Sequence, residues 1–213
     1  NNYMDLSKEN PFVMPYTGFG YSEKKIGFSF GLESSISQKI NFSVNFNYSN
    51  WKDAVLFVND TTNLLMNKFS VVQEDYDLMV LSTAISYQHQ DHILITLDGK
   101  YNIYNMQTGI SPWHKPIYEI GLRAKYNIQD MFLITADVVA YGNSFARGYD
   151  SLNNEIEIAL KPWVDVNLGA EYRISKKLGA FLNVNNIVAT KYQRWYNYPT
   201  YGFSIMAGVN YIF

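Results

Sequence analysis

Phe203-Ser204-Ile205-Met206-Ala207-Gly208-Val209-Asn210-Tyr211-Ile212-Phe213 closes the chain, and its reading decides the fold. Every second position from Phe203 is apolar, while Ser204, Gly208 and Asn210 among the intervening ones are small or polar. A period of two belongs to a β-strand whose two faces meet different surroundings. The alternation runs to the terminal aromatic, where a soluble domain more often frays into a polar tail.

The same pattern recurs upstream. Pro162–Ser175 and Leu178–Val188 read as a hairpin over Lys176-Lys177, with Ala189–Tyr201 as the loop before the final strand. Tyr118–Ile128 and Met131–Gly142 pair over Gln129-Asp130. A strand from Asp75 to Gln88 turns at Gln90-Asp91 into one carrying Ile93, Ile95, Leu97, Tyr101 and Ile103 on one face. Ile26, Phe28, Phe30, Leu32 and Ile36 mark the first strand, which turns at Ser37-Gln38-Lys39 into Ile40, Phe42, Val44, Phe46 and Tyr48. Residues 1–24 hold Pro11, Pro15, Gly18 and Gly20 and read as loop, because proline cannot donate to a ladder. Trp51–Val71, Met106–Pro116 and Asn143–Glu155 read as long connections. About nine strands follow, over 25–213, and short and long connections alternate strictly. An up-and-down sheet with tight turns on one rim and long loops on the other is the layout of a transmembrane barrel.

Composition agrees. Asp, Glu, Lys and Arg make up 17% of residues, against roughly a quarter in soluble domains. The 18 tyrosines outnumber Lys plus Arg at 17. A net charge of -2 offers no footprint for nucleic acid. With no cysteine, disulfide frameworks and thiolate metal sites are excluded. The apolar runs fall far short of the roughly 18 residues a membrane helix needs, so this chain enters a membrane as strands or not at all.

Alternation alone fits both a soluble sandwich and a membrane barrel, and the polar face separates them. A solvated face is rich in Lys and Glu. Here it is mostly Ser, Asn, Gly and Thr, punctuated by Glu33, Asp98, Lys100, Glu119, Arg123, Lys125, Asp137, Asp165, Glu171 and Arg173. Charges of both signs at similar depths suit a crowded lumen in which they pair, with Asp165 and Glu171 bridged to Arg123, Lys125 or Arg173. The other face carries almost no charge, as expected of a surface against lipid. Nine strands cannot close an antiparallel barrel. Since open edges in lipid cost several kcal/mol per unpaired group, the expectation is a segment of a larger barrel, with its closing partner before Asn1.

The closing stretch resembles the end of TonB-dependent outer-membrane receptors. The likeness rests on Leu182-Asn183-Val184-Asn185-Asn186-Ile187, then Lys191-Tyr192, then an aromatic loop with Pro199 and Gly202, then Tyr211-Ile212-Phe213. Val58-Asn59-Asp60-Thr61, Trp113-His114-Lys115-Pro116 and Leu168-Gly169-Ala170-Glu171-Tyr172 look like the same group. The resemblance implies a bacterial outer-membrane location and a barrel of about 22 strands. It also implies the rest of the barrel and a plug before residue 1, where a coupling box would favour transport over the structural reading, and an assembly signal at Tyr211 and Phe213 read by the barrel-insertion machinery. Outer-membrane lipid would be a partner, and a surface lipoprotein or other envelope protein a further one.

Ligand capture is expected of the loop Tyr192-Gln193-Arg194-Trp195-Tyr196-Asn197-Tyr198-Pro199-Thr200-Tyr201. Tyr, Trp and Arg predominate at binding hot spots, so Tyr192, Arg194, Trp195, Tyr196, Tyr198 and Tyr201 are the candidate contacts. Self-packing of the loop is the competing reading. No catalytic residue, metal or cofactor is expected. His89 and His92 flank a tight turn, and His114 has no nucleophile motif beside it. The leading reading is the wall and ligand-facing loops of an uptake receptor. The alternative is a structural or assembly subunit with a receptor-like barrel, and a lipid-modifying enzyme is a distant third.

Overall fold

The computed structural model describes residues 3–15, 22–60, 68–109, 111–152 and 154–212. A short helix, α1 (Tyr3–Glu9), precedes β1 (Glu23–Ser37), β2 (Ile40–Asn59), β3 (Phe69–His89), β4 (Ile93–Met106), β5 (Tyr118–Ile128) and β6 (Phe132–Tyr141). Next come β7 (Ser144–Tyr149), β8 (Glu155–Leu160), β9 (Trp163–Arg173) and β10 (Leu178–Asn185). The two short strands β11 (Gln193–Trp195) and β12 (Tyr198–Pro199) precede β13 (Ser204–Tyr211).

Nine of these strands form one antiparallel up-and-down sheet in the order β1-β2-β3-β4-β5-β6-β9-β10-β13. They are the nine expected from the alternation. Within the described residues β1 and β13 do not pair with each other, so the sheet is open at both edges. Left-handed backbone at Gln90, Gln129 and Asp130 forms two of the tight turns at one rim.

Directly opposed residues in antiparallel strands share a face, so the register assigns every side chain. Lys100 lies opposite Glu119, Arg123 opposite Asp137, and Asp165 opposite Val139. Followed strand by strand, the pairing puts all ten of the named charges on one face. The other face carries Phe30, Leu97, Ile134, Leu182 and Val209, all exposed, with Phe30 at 74% and Val209 at 68%. Asp77 interrupts it near the long-loop rim, where its carboxylate accepts from the Tyr48 hydroxyl (3.0 Å) and the Asn50 amide (2.7 Å). Among the described residues no second layer buries the apolar side of the wall. The buried core lies elsewhere, at the long-loop end, in Leu56, Phe57, Val58, Phe69 and Trp113.

Four connections are more ordered than the sequence suggests. Within residues 1–24, Tyr3–Glu9 is helical, Val13 bridges in parallel to Phe69, and β1 begins at Glu23. Within 51–71, residues 51–59 and 69–71 are strand, because β2 and β3 extend to 20 and 21 residues. A bulge marks the transition. Asp53 takes φ 50°, and the register shifts between Trp51 and Ala54. The Asp53 backbone N–H donates to the Asp75 carboxylate (2.8 Å). Beyond it both faces are apolar, Ala54, Leu56 and Val58 on one side and Val55 and Phe57 on the other, which hides the period of two. Residues 143–155 contribute to a separate hairpin of β7 and β8, and 189–201 contains the β11–β12 hairpin.

Candidate functional site

The long connections meet over the mouth of the sheet and bury one another. The extended arm of β2 and β3 is the centrepiece. On one side Ala54, Leu56, Val58 and Tyr76 pack with Trp113, flanked by Tyr104, Met106 and Phe145. On the other, Phe57 and Phe69 pack with Leu6 and Val13, flanked by Phe12, Trp195 and Tyr198. Trp195 stands edge-on to Phe57 and Phe69, 5.4 Å between centroids in both cases. Phe12 stacks on Tyr198 at 3.4 Å. Residues distant in sequence, from α1 to β12, thus form one cap.

His114 ties the cap together. Its backbone sits in the left-handed region at φ 58° and its N–H donates to the Phe145 carbonyl (2.8 Å). The ring lies 5.2 Å from Phe69 and 5.1 Å from Trp195. Nδ1 is 3.1 Å from the Phe57 carbonyl, and the Tyr196 backbone N–H points at Nε2 at 3.4 Å. These partners fix the neutral tautomer, with Nδ1–H donating and Nε2 accepting. Burial holds its pKa down to about 4, the Phe57 carbonyl opposes that, and the Lys115 ammonium reinforces it.

The six loop residues divide by environment. Trp195 and Tyr198 are half-buried and pack against the arm. Tyr196 contributes its backbone to His114. Tyr192 stacks on Trp163 at 3.7 Å, and Trp163 on Tyr141 at 4.5 Å. The Tyr192 hydroxyl donates to Asp165 (2.7 Å); burial, then that carboxylate, pushes its ionisation up. Arg194 is exposed, and Tyr201 at 95% touches almost nothing. Self-packing therefore accounts for part of the loop's aromatic content.

On the inner wall, Arg123 and Asp98 form an ion pair. Asp165 and Glu171 are not bridged to Arg123, Lys125 or Arg173 among the described residues, because Tyr192 takes one Asp165 oxygen and the spacing across strands separates the rest. Glu119 lies opposite Tyr141 in the register, and Lys115 pairs with Glu9 at 2.8 Å. A cavity of about 240 Å³ lies behind the loop, between the cap and the wall. Among the described residues no cluster of three or more His, Asp or Glu could hold a metal. Tyr211 lies exposed at the end of β13, and Phe213 is outside the described residues.

The arm, α1 and the linking role of His114 are what sequence reasoning missed. The only signal was bulk. Trp113 and His114 are an unusual pair for a solvent-exposed loop, and Phe57 and Phe69 lie inside Trp51–Val71, the segment that reads as a connection.

No family model matches the chain, and no curated protein does. Solved structures do. Most of the chain superposes on the pyoverdine outer membrane receptor FpvA from Pseudomonas aeruginosa PAO1, with TM-score 0.67, 16% identity, 88% of this chain and 29% of that one. The FrpB iron transporter from Neisseria meningitidis gives 0.66 at 14% identity, over 93% of this chain and 32% of that one. The copper transporter OprC gives 0.64 at 13%, over 87% and 30%. These neighbours are TonB-dependent outer-membrane receptors and transporters, and the chain spans about a third of their length. The nine-stranded wall has the fold of one portion of such a receptor barrel.

Proposed function

We propose that this chain supplies part of the wall and the extracellular cap of a TonB-dependent outer-membrane receptor for substrate uptake. The observation that carries the reading is the division of the sheet into a continuous exposed apolar face and a polar inner face bearing ten charges of both signs. Water penalises an exposed apolar surface that spans nine strands, whereas lipid does not. Arg at mid-membrane would cost about 2 to 4 kcal/mol, which accounts for the lack of charge at the centre of that face. In this reading the open edges at β1 and β13 pair with further strands of the same barrel, since unpaired ladder groups are not tolerated in lipid. A plug fills the lumen, the insertion machinery reads the terminal aromatics, and the long loops face outward to capture ligand. The role is transport rather than catalysis.

The test is fractionation of the protein as the cell makes it. It is expected in the outer membrane, extracted only by detergent, and with a gel mobility that shifts on heating. Recovery in the soluble fraction without detergent would refute the proposal.

A further inference from the structure

The cavity behind the Tyr192–Tyr201 loop has an unusual balance of free and engaged groups. Its aromatic walls are already in use. Trp163 is stacked between Tyr141 and Tyr192, and Trp195 is packed by Phe57, Phe69 and His114. Both ring nitrogens of His114 have partners, and Lys115 is paired with Glu9. Two opposite charges on the lining remain available: the Arg194 guanidinium and the Glu119 carboxylate. Neither forms an ion pair among the described residues, and Glu119 lies directly opposite Tyr141 in the register of β5 and β6.

That combination discriminates among ligand classes. A plain anion would suit Arg194 but meet repulsion from Glu119, and a plain cation the reverse. A ligand carrying both charges satisfies both walls. At about 240 Å³ the chamber is smaller than the roughly 300–1,000 Å³ of sites for drug-sized ligands. We propose that this cavity binds a small zwitterion, an amino acid or dipeptide, with its carboxylate on Arg194 and its ammonium on Glu119. The assignment rests on the receptor reading above and gives it a substrate class. Arg is suited to the first contact because its planar fork matches a carboxylate.

The test is a titration of the detergent-extracted protein with alanyl-alanine, its N-acetyl derivative and its C-terminal amide, followed by calorimetry and tryptophan fluorescence. The free dipeptide is expected to bind at least about tenfold more tightly than either blocked form, since each lacks one charged contact. Arg194→Met should bind the free dipeptide no better than its amide, and Glu119→Gln no better than the N-acetyl form. Leu152→Ala, exposed at the turn between β7 and β8 and away from the cavity lining, should bind like the parent. Equal binding of all three ligands, no saturable binding of alanyl-alanine, or an equal loss in Leu152→Ala would overturn the proposal. Heat-modifiable mobility, measured on the same samples, keeps the two readings apart. A folded, detergent-dependent barrel that ignores alanyl-alanine refutes the zwitterion site and leaves the receptor standing.

Discussion

Acid should loosen the cap at His114. The ring is buried and neutral, donating from Nδ1 to Phe57 and accepting at Nε2 from Tyr196. In the closed cap its pKa is about 4, against about 6.5 for an exposed imidazole. Closing therefore favours the neutral ring. Its contribution is fully present above about pH 6.5 and falls as the pH drops from there towards 4, because the opened cap takes up a proton that the closed one refuses. Below about pH 4 both forms are protonated and the loss levels off. A gap of about 2.5 units at 1.36 kcal/mol each gives roughly 3 kcal/mol, about three-hundredfold in the opening equilibrium when complete, of which about a hundredfold is lost by pH 4. Hydrogen exchange in detergent reads this directly, once corrected for the intrinsic rate, at the His114 N–H bonded to Phe145 and the Tyr196 N–H. Protection there is expected to fall about a hundredfold between pH 7 and pH 4, and His114→Gln should remove the pH dependence. Protection that stays constant down to pH 4, or an unchanged pH profile in His114→Gln, would refute the reasoning.

Three further outcomes are expected. Ala207→Arg places a cation at the middle of the outer face and should block barrel assembly through a cost of about 2 to 4 kcal/mol, while Asn210→Ser on the inner face assembles normally; heat-modifiable mobility distinguishes them. Trp195→Ala removes the ring wedged against Phe57 and Phe69. For a half-buried tryptophan it should cost the cap about 2 kcal/mol, below the 3 to 5 of a fully buried one, read as faster proteolysis of the loop with the wall intact. Arg123→Met breaks the ion pair to Asp98, whose side chains are 60% and 38% exposed. It should change unfolding stability by less than about 1 kcal/mol, so a larger loss in denaturant titration would mean that the wall depends on its charges more than their exposure suggests.

The wall was legible in the sequence because one rule governs it. Wherever one face meets apolar surroundings and the other polar ones, residues alternate, and β13, β10, β5 and β1 each show it from Ile205, Leu182, Leu122 or Phe30 outward. The cap was not legible, for the same reason. Once β2 passes the bulge at Asp53, Leu56 and Phe57 are both buried, on opposite faces, and nothing alternates. The helix Tyr3–Glu9 is too short to be marginally stable alone and is held by Leu6 against Phe57 and Phe69. Such contacts depend on partners more than fifty residues away, which local pattern does not encode. In the candidate site, composition drew attention to Arg194 and Trp195, but only the packing separates a residue that seals the cap from one that lines the cavity.

The division of the wall into two faces is tested most directly by site-directed spin labelling. The chain has no cysteine, so single cysteines at Leu182, Asn183, Val209 and Asn210 can be labelled one at a time in the reconstituted protein. Labels at Leu182 and Val209 are expected to collide with dissolved oxygen and to be shielded from a water-soluble nickel chelate. Labels at Asn183 and Asn210 should show less oxygen access and more chelate access. Equal accessibility along β10 and β13, or the opposite alternation, would contradict the account.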